Sequence, residues 1–112
     1  MMSNKRYALA LDLVDDPAMI QEYEDIHKRV STEIKKSITD AGVTVMDIYR
    51  FANRLFMIME VDETFSFERK DKMDAENPAV QKWEQLMWKF QQSIPGSKPG
   101  EKWVIMDQIF EL

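Results

Sequence analysis

Apolar and polar residues alternate from residue 6 to residue 14. Tyr7, Leu9, Leu11 and Leu13 fall on one side, and Ala8, Ala10, Asp12 and Val14 on the other, which predicts a strand. Asp15-Asp16-Pro17 then turns the chain and offers a carboxylate N-cap, with Pro17 suited to the first helical position. From 19 to 41 the period changes to that of a helix. Stepped at about 100° per residue, Ile20, Tyr23, Val30, Ile34, Ile38 and Ala41 share one arc, and His27 lies inside it, one turn after Tyr23. Charged residues take most of the remaining surface, and Gly42 is placed to end the helix as its C′ residue. Residues 43–51 and 54–61 read as two strands joined by Ala52-Asn53, a hairpin-sized connection. Residues 64–75 are weakly patterned and predict a short helix. Asn77-Pro78 opens a second main helix carrying Val80, Trp83, Leu86, Met87, Phe90 and Ile94 at helical spacing. The run from Pro95 through Gly96, Ser97, Lys98 and Pro99 to Gly100 is a loop, and residues 103–110 predict a closing strand.

This order, strand-helix-strand-strand-helix-strand, is the split βαβ pattern. It predicts an α+β, ferredoxin-like βαββαβ unit: one domain over 1–112, an antiparallel sheet and both helices on one face. The other sheet face then carries apolar groups with nothing to cover them, so the expected assembly is a homodimer with two sheets packed face to face.

Composition narrows the chemistry. The formal net charge of −5 and the absence of a long Lys/Arg block argue against a nucleic-acid surface. No run approaches the roughly 20 apolar residues of a membrane helix, and Asp12 with Asp15-Asp16-Pro17 breaks the short apolar stretch after Lys5-Arg6 that would otherwise resemble a signal peptide. With no cysteine there is no disulfide, thiolate nucleophile or cysteine metal site, which fits a cytoplasmic location. A single histidine rules out a multi-histidine metal site within one chain, so no metal is expected. The three glycines, Gly42, Gly96 and Gly100, form no nucleotide-binding pattern, and no cofactor is expected either.

Few groups remain that can move a proton near neutral pH, and His27 is foremost among them. The i, i+4 spacing of Tyr23 and His27 puts both on one helix face, within reach of a common ligand. An imidazole, with an ordinary pKa of ~6.5, can accept a proton at one nitrogen and donate at the other. The plain structural reading is a half-buried core histidine bonded to a strand carbonyl, and the pattern alone favours it. Acidic residues inside strands are a second set. Asp12, Asp47 and Asp107 would line a polar patch for hydroxyls if they shared a sheet face, unless Arg50, Arg54 or water satisfies them. Aromatic residues are a third. Trp83 on the second helix and Tyr49 in the second strand offer apolar faces with polar tips, which suit sugars.

Together these residues resemble the L-rhamnose mutarotase family. The likeness runs from Arg6 to Phe110 and is strongest at Glu22-Tyr23 with His27, Ile48-Tyr49, Leu55-Phe56 through Glu60, Gln81-Lys82-Trp83 and Ile109-Phe110. The resemblance implies a dimeric α/β barrel of ferredoxin-like units and cofactor-free interconversion of the α and β anomers of a 6-deoxy sugar. By position it makes His27 the catalytic proton donor, Tyr23 a sugar-binding residue and Trp83 part of an aromatic wall. Two positions depart from the family pattern. Glu84 stands where a second tryptophan is usual, and Met46 where a binding tyrosine is usual. The segment Lys28-Arg29-Val30-Ser31-Thr32 also lacks the Pro and Trp common there. The acid/base is unaffected but the pocket wall is changed at Met46 and Glu84. The expected partner is thus a 6-deoxy sugar, L-rhamnose first and L-fucose as the alternative, with Tyr49, Asp12 and Asp47 as further contacts. A haem-handling or oxygenase-type barrel, with His27 as axial ligand, and a non-catalytic small-ligand dimer are the competing classes.

Overall fold

The computed structural model describes residues 5–112. The chain orders as β1 (Lys5–Leu13), α1 (Pro17–His27), α2 (Thr32–Asp40), β2 (Val43–Phe51), β3 (Arg54–Val61), α3 (Phe67–Ala75), α4 (Pro78–Trp88), β4 (Gln91–Gln92) and β5 (Val104–Ile105). The sheet is antiparallel in the order β2-β3-β1, with β4 and β5 both on the far edge of β1. This is the ferredoxin-like α+β arrangement, with its fourth strand split in two. Among the described residues no helix is long and apolar enough to cross a membrane.

The alternation read in β1 sets the layers. Leu9, Leu11 and Leu13 are buried, and their register partners Met57 and Leu55 on β3 are buried with them. Two clusters form under the helices. Leu9, Val43, Met57, Met59 and Val61 make one, and Leu13, Tyr23, Leu55, Met87 and Phe90 the other; Trp103 packs against both. A register shift between Val43 and Val45 changes the parity of β2. After it, Met46, Ile48 and Arg50 lie opposite Met59, Met57 and Leu55 on the helix side, and Asp47, Tyr49 and Phe51 opposite Ile58, Phe56 and Arg54 on the other. That second face is open: Val45, Tyr49 and Phe51 are exposed.

Where the helices start was legible. Asp16 Oδ1 accepts from the Ala18 and Met19 amides at 2.9 and 3.1 Å, with Pro17 in the first turn. Asn77 Oδ1 accepts from Ala79 at 3.0 Å, followed by Pro78. Gly42, at φ +101°, follows the α2 cap, and its amide donates to Thr39 O at 3.0 Å.

Three expectations need correction. The helix expected over 19–41 is two helices. The last turn of α1 tightens through Lys28 N→Asp25 O and Arg29 N→Ile26 O, and Ser31 starts α2 by accepting from the Ile34 amide at 3.3 Å. The second main helix stops at Trp88, so Phe90 and Ile94 lie beyond it, and Gln91–Gln92 pairs with Asp12 and Leu13. The closing strand is also shorter than the expected 103–110. Only Val104–Ile105 pair, opposite Ala10 and Leu9, and Met106 N→Ala8 O at 2.8 Å is the last bond to β1.

Candidate active site

The interruption after His27 leaves the imidazole on the last residue of α1, facing the outer strand β2. A cleft of about 240 Å³ opens there, lined by Tyr23, Glu24, His27 and Lys28 of α1, Ile48, Tyr49 and Arg50 of β2, and Leu55 of β3. Glu24 and Arg50 bridge its two walls with an ion pair, Nε to Oε1 at 2.5 Å, and Arg50 Nη1 also donates to Ala52 O at 2.7 Å. A larger hollow, about 380 Å³, lies between the N-terminal ends of α2 and α4, but its lining is Ser31, Glu33, Ile34, Pro78, Ala79 and Lys82, without an imidazole or aromatic ring. Of the two, the smaller cleft is the one with an imidazole in its wall.

His27 is half-buried and held from three directions. Its ring centroid lies 4.3 Å from that of Tyr23 and 5.4 Å from that of Trp83, the latter edge-on at 68°. Nδ1 sits 2.8 Å from the backbone carbonyl of Tyr23, one turn back in its own helix. A carbonyl can only accept, so Nδ1 carries a proton and donates it. Nε2 makes no hydrogen bond among the described residues and is the nitrogen left for a ligand. The carbonyl that holds the ring is thus helical, where a strand carbonyl was the structural expectation.

Tyr23 is the buried centre of the group, 3% exposed, with Phe90 edge-on at 5.9 Å. Burial pushes its phenol above the ordinary value near 10, and a side-chain hydrogen bond from Gln91 pulls partly back. Gln91 Oε1 is itself buried without a hydrogen-bond partner. Sequence reasoning missed this amide because it read 91 as helical; its position opposite Leu13 on β1 brings it to Tyr23. Ile48, Glu24 and Arg50 were missed as well, since only the register shift in β2 turns 48 and 50 toward the helices.

The other anticipated residues scatter. Trp83 joins the cluster, packed against the Leu13 and Tyr23 core. Tyr49 belongs to the cleft wall, although its register places it opposite Phe56 on the open-face side. Met46 shares the helix side of β2 with Ile48 but packs against the Leu9 and Met57 cluster, outside the cleft lining. Asp12 and Asp47 lie on the opposite sheet face from the cleft. Asp12 is buried and taken by Arg54 in a bidentate pair, Nε–Oδ1 2.7 Å and Nη2–Oδ2 3.1 Å, and Asp47 is exposed. Glu84 is half-buried near Lys102. Burial lowers that ammonium from its ordinary pKa and Glu84 partly offsets the fall, while Nζ sits 3.8 Å above the Trp88 ring. Among the described residues no group of three or more His, Cys, Asp or Glu side chains could hold a metal ion.

A family model described as L-rhamnose mutarotase matches residues 6–112. An L-fucose mutarotase of Xanthomonas campestris pv. campestris is 43% identical, over 99% of this chain and 90% of its own. A UPF0734 protein of Dictyostelium discoideum is 36% identical over 96% of this chain and 90% of its own. Among solved structures, an L-rhamnose mutarotase from Formosa agariphila superposes with a TM-score of 0.70 at 23% identity, covering 96% of this chain and 98% of that one. The tetracenomycin F2 cyclase of Streptomyces glaucescens shares the fold at a TM-score of 0.59 and 14% identity, over 96% of both chains.

Proposed function

Because this chain belongs to the L-rhamnose mutarotase family, we propose that it interconverts the α and β anomers of a 6-deoxyhexose in the His27 cleft. The observation that carries the reading is the state of the imidazole. Nδ1–H is committed to the Tyr23 carbonyl, which leaves Nε2 as a proton acceptor that, once charged, becomes a donor. Mutarotation needs this pair of roles and little else. The anomeric hydroxyl loses its proton as the C1–O1 bond becomes a carbonyl; the C1–O5 bond breaks and O5 takes up a proton. Rotation about C1–C2 turns the aldehyde, and the reverse steps close the ring on its other face. His27 is the catalytic acid/base at Nε2. Tyr23 and Trp83 pack against the imidazole and fix its ring, and Tyr49 on the facing wall offers an aromatic surface for the sugar's C–H groups. The Glu24–Arg50 pair at the rim supplies charged groups for hydroxyls.

The choice of sugar rests on likeness. The relative that is 43% identical along nearly the whole chain bears the name L-fucose mutarotase, and this favours L-fucose over the L-rhamnose expected first. The partner is then a small 6-deoxy sugar, and the open face of the sheet, with exposed Val45, Tyr49 and Phe51, supports a homodimer. NMR exchange spectroscopy at the anomeric protons, with L-fucose and L-rhamnose in parallel, tests the proposal. Faster exchange for L-fucose is expected. Equal spontaneous rates with both sugars would overturn mutarotation, and a preference for L-rhamnose would overturn the choice of sugar.

A further inference from the structure

The Arg50 guanidinium is held at two of its nitrogens and free at the third. Nε donates to Glu24 Oε1 at 2.5 Å and Nη1 to Ala52 O at 2.7 Å, so α1 and the β2–β3 turn together fix the plane of the group. Nη2 has no hydrogen-bond partner among the described residues, and the side chain, in the cleft wall, is 35% exposed. The other cation of the cleft is Lys28, which is 71% exposed and already paired with Asp25 at 3.3 Å. Arg50 is thus the cleft cation with a donor oriented before any ligand arrives.

Glu24 neutralises this guanidinium, so the pair suits an uncharged polyol better than an acid. Glu24 also lies three residues before His27 on α1, about 4.5 Å along the helix at ~1.5 Å per residue. With the anomeric centre at His27 Nε2, a group one turn back along α1 meets the far side of the sugar ring. The vicinal hydroxyls farthest from C1 are those on C3 and C4. In L-fucose O4 is axial: it stands off one face of the ring and leaves the C–H groups of C3, C4 and C5 together on the other. In L-rhamnose O4 is equatorial, near the ring plane, and the faces are not divided in this way. The cleft lining is so divided, polar at Glu24 and Arg50 and apolar at Ile48, Leu55 and the Tyr49 ring.

We infer that Arg50 is a specificity-determining residue, which donates from Nη2 to an axial O4 and so selects the configuration at C4. Glu24 is its positioning residue, and Ala52 O completes the hold. The inference rests on reading the cleft as a mutarotase site. It goes further by naming the stereocentre: C4, rather than C2, decides which 6-deoxyhexoses are turned over. A donor fixed at two points cannot follow O4 to its equatorial position, so the wrong epimer forfeits a hydrogen bond from a charged group. A lysine at 50 has a mobile ammonium without the fork and would serve either epimer.

Four 6-deoxyhexoses separate the two stereocentres. L-Fucose and 6-deoxy-L-glucose differ only at C4, as do 6-deoxy-L-talose and L-rhamnose, while the two pairs differ from each other at C2. Anomer exchange followed by NMR should be at least about tenfold faster for the axial-O4 member of each pair, the worth of a hydrogen bond to a charged group. In Arg50→Lys and in Glu24→Ala this C4 ratio should fall toward one. Both sugars of a pair are measured on the same sample, so a loss of folded protein leaves the ratio unmoved. A parent protein that discriminates at C2 and not at C4, or a C4 ratio kept in both variants, would overturn the role of Arg50 while mutarotation stands. If the parent accelerates none of the four sugars, the mutarotase reading falls and takes this inference with it.

Discussion

With Nδ1 of His27 committed to the Tyr23 carbonyl at 2.8 Å, Nε2 is the imidazole nitrogen left for a ligand, and the proposed acid/base acts there. His27→Ala should therefore lower kcat for anomer exchange by about 10²–10⁴-fold, the usual worth of a general acid/base. Circular dichroism should be unchanged, since the side chain lies at a cleft wall. Tyr23 gives a prediction in pH. Its phenol is raised in the folded state, so the unfolded chain releases that proton first as pH rises. The associated stability is complete below the unfolded value near 10 and is lost as pH climbs through the folded one. Urea titrations between pH 9 and pH 11, a window set by ~10 for a free phenol, should show a shallower loss of stability in Tyr23→Phe than in the parent. Spacing alone placed Tyr23 and His27 on one helix face, and the apolar stripe of the second helix carried Trp83. Arg54 stood among the candidate partners of the strand aspartates, and strand register gives it to Asp12; Gln91 beside Tyr23 was not legible, because register, a tertiary property, brings it there.

At the scale of elements, helix starts and the β2–β3 hairpin were readable because their signals are local: a capping side chain, a following proline, alternation. The break between α1 and α2 was not. The apolar arc runs on through it, and only the Ser31 cap and the tightened turn at Lys28 and Arg29 mark the stop. Ser31→Ala should destabilise the fold by about 1 kcal/mol, as loss of an N-cap generally does, read as a shifted urea midpoint. Gly42 is held more strictly. A Cβ there would meet Asp62 Oδ1 and Thr64 Oγ1 at 2.7 Å each, and φ is +101°. Gly42→Ala combines backbone strain with a clash and should cost roughly 1–3 kcal/mol, measurable in the same titration. The split of the fourth strand into Gln91–Gln92 and Val104–Ile105 escaped sequence reading because which residues reach the β1 edge is set by tertiary pairing.

For the whole molecule the open sheet face is the dominant feature. Period-two alternation revealed it, but the parity change in β2 decided which residues stand on it, and no sequence signal gave that shift. Asp12 sits on this face, buried and tied to Arg54. Removing Arg54 leaves a buried carboxylate without its cation. Arg54→Ala should lower Tm, and adding Asp12→Ala should recover part of the loss, a coupling that thermal melts of the single and double variants will show. If a second copy covers the face, stability also becomes a matter of concentration. Tm should rise with protein concentration, and sedimentation should report a dimer that dissociates on dilution; a Tm independent of concentration with a monomer throughout would contradict the assembly.

The bond from His27 to the carbonyl one turn behind it has a consequence for descent. The ring's orientation and tautomer are fixed by a backbone group, which no substitution can remove while α1 stays helical. The residues that β2 and α4 bring around it, by contrast, are joined to it by contact alone. Lineages are thus free to exchange a wall side chain without rebuilding the acid/base. Changes of sugar preference should accumulate on β2 and α4, and the short stretch from Tyr23 to His27 should pass between relatives intact.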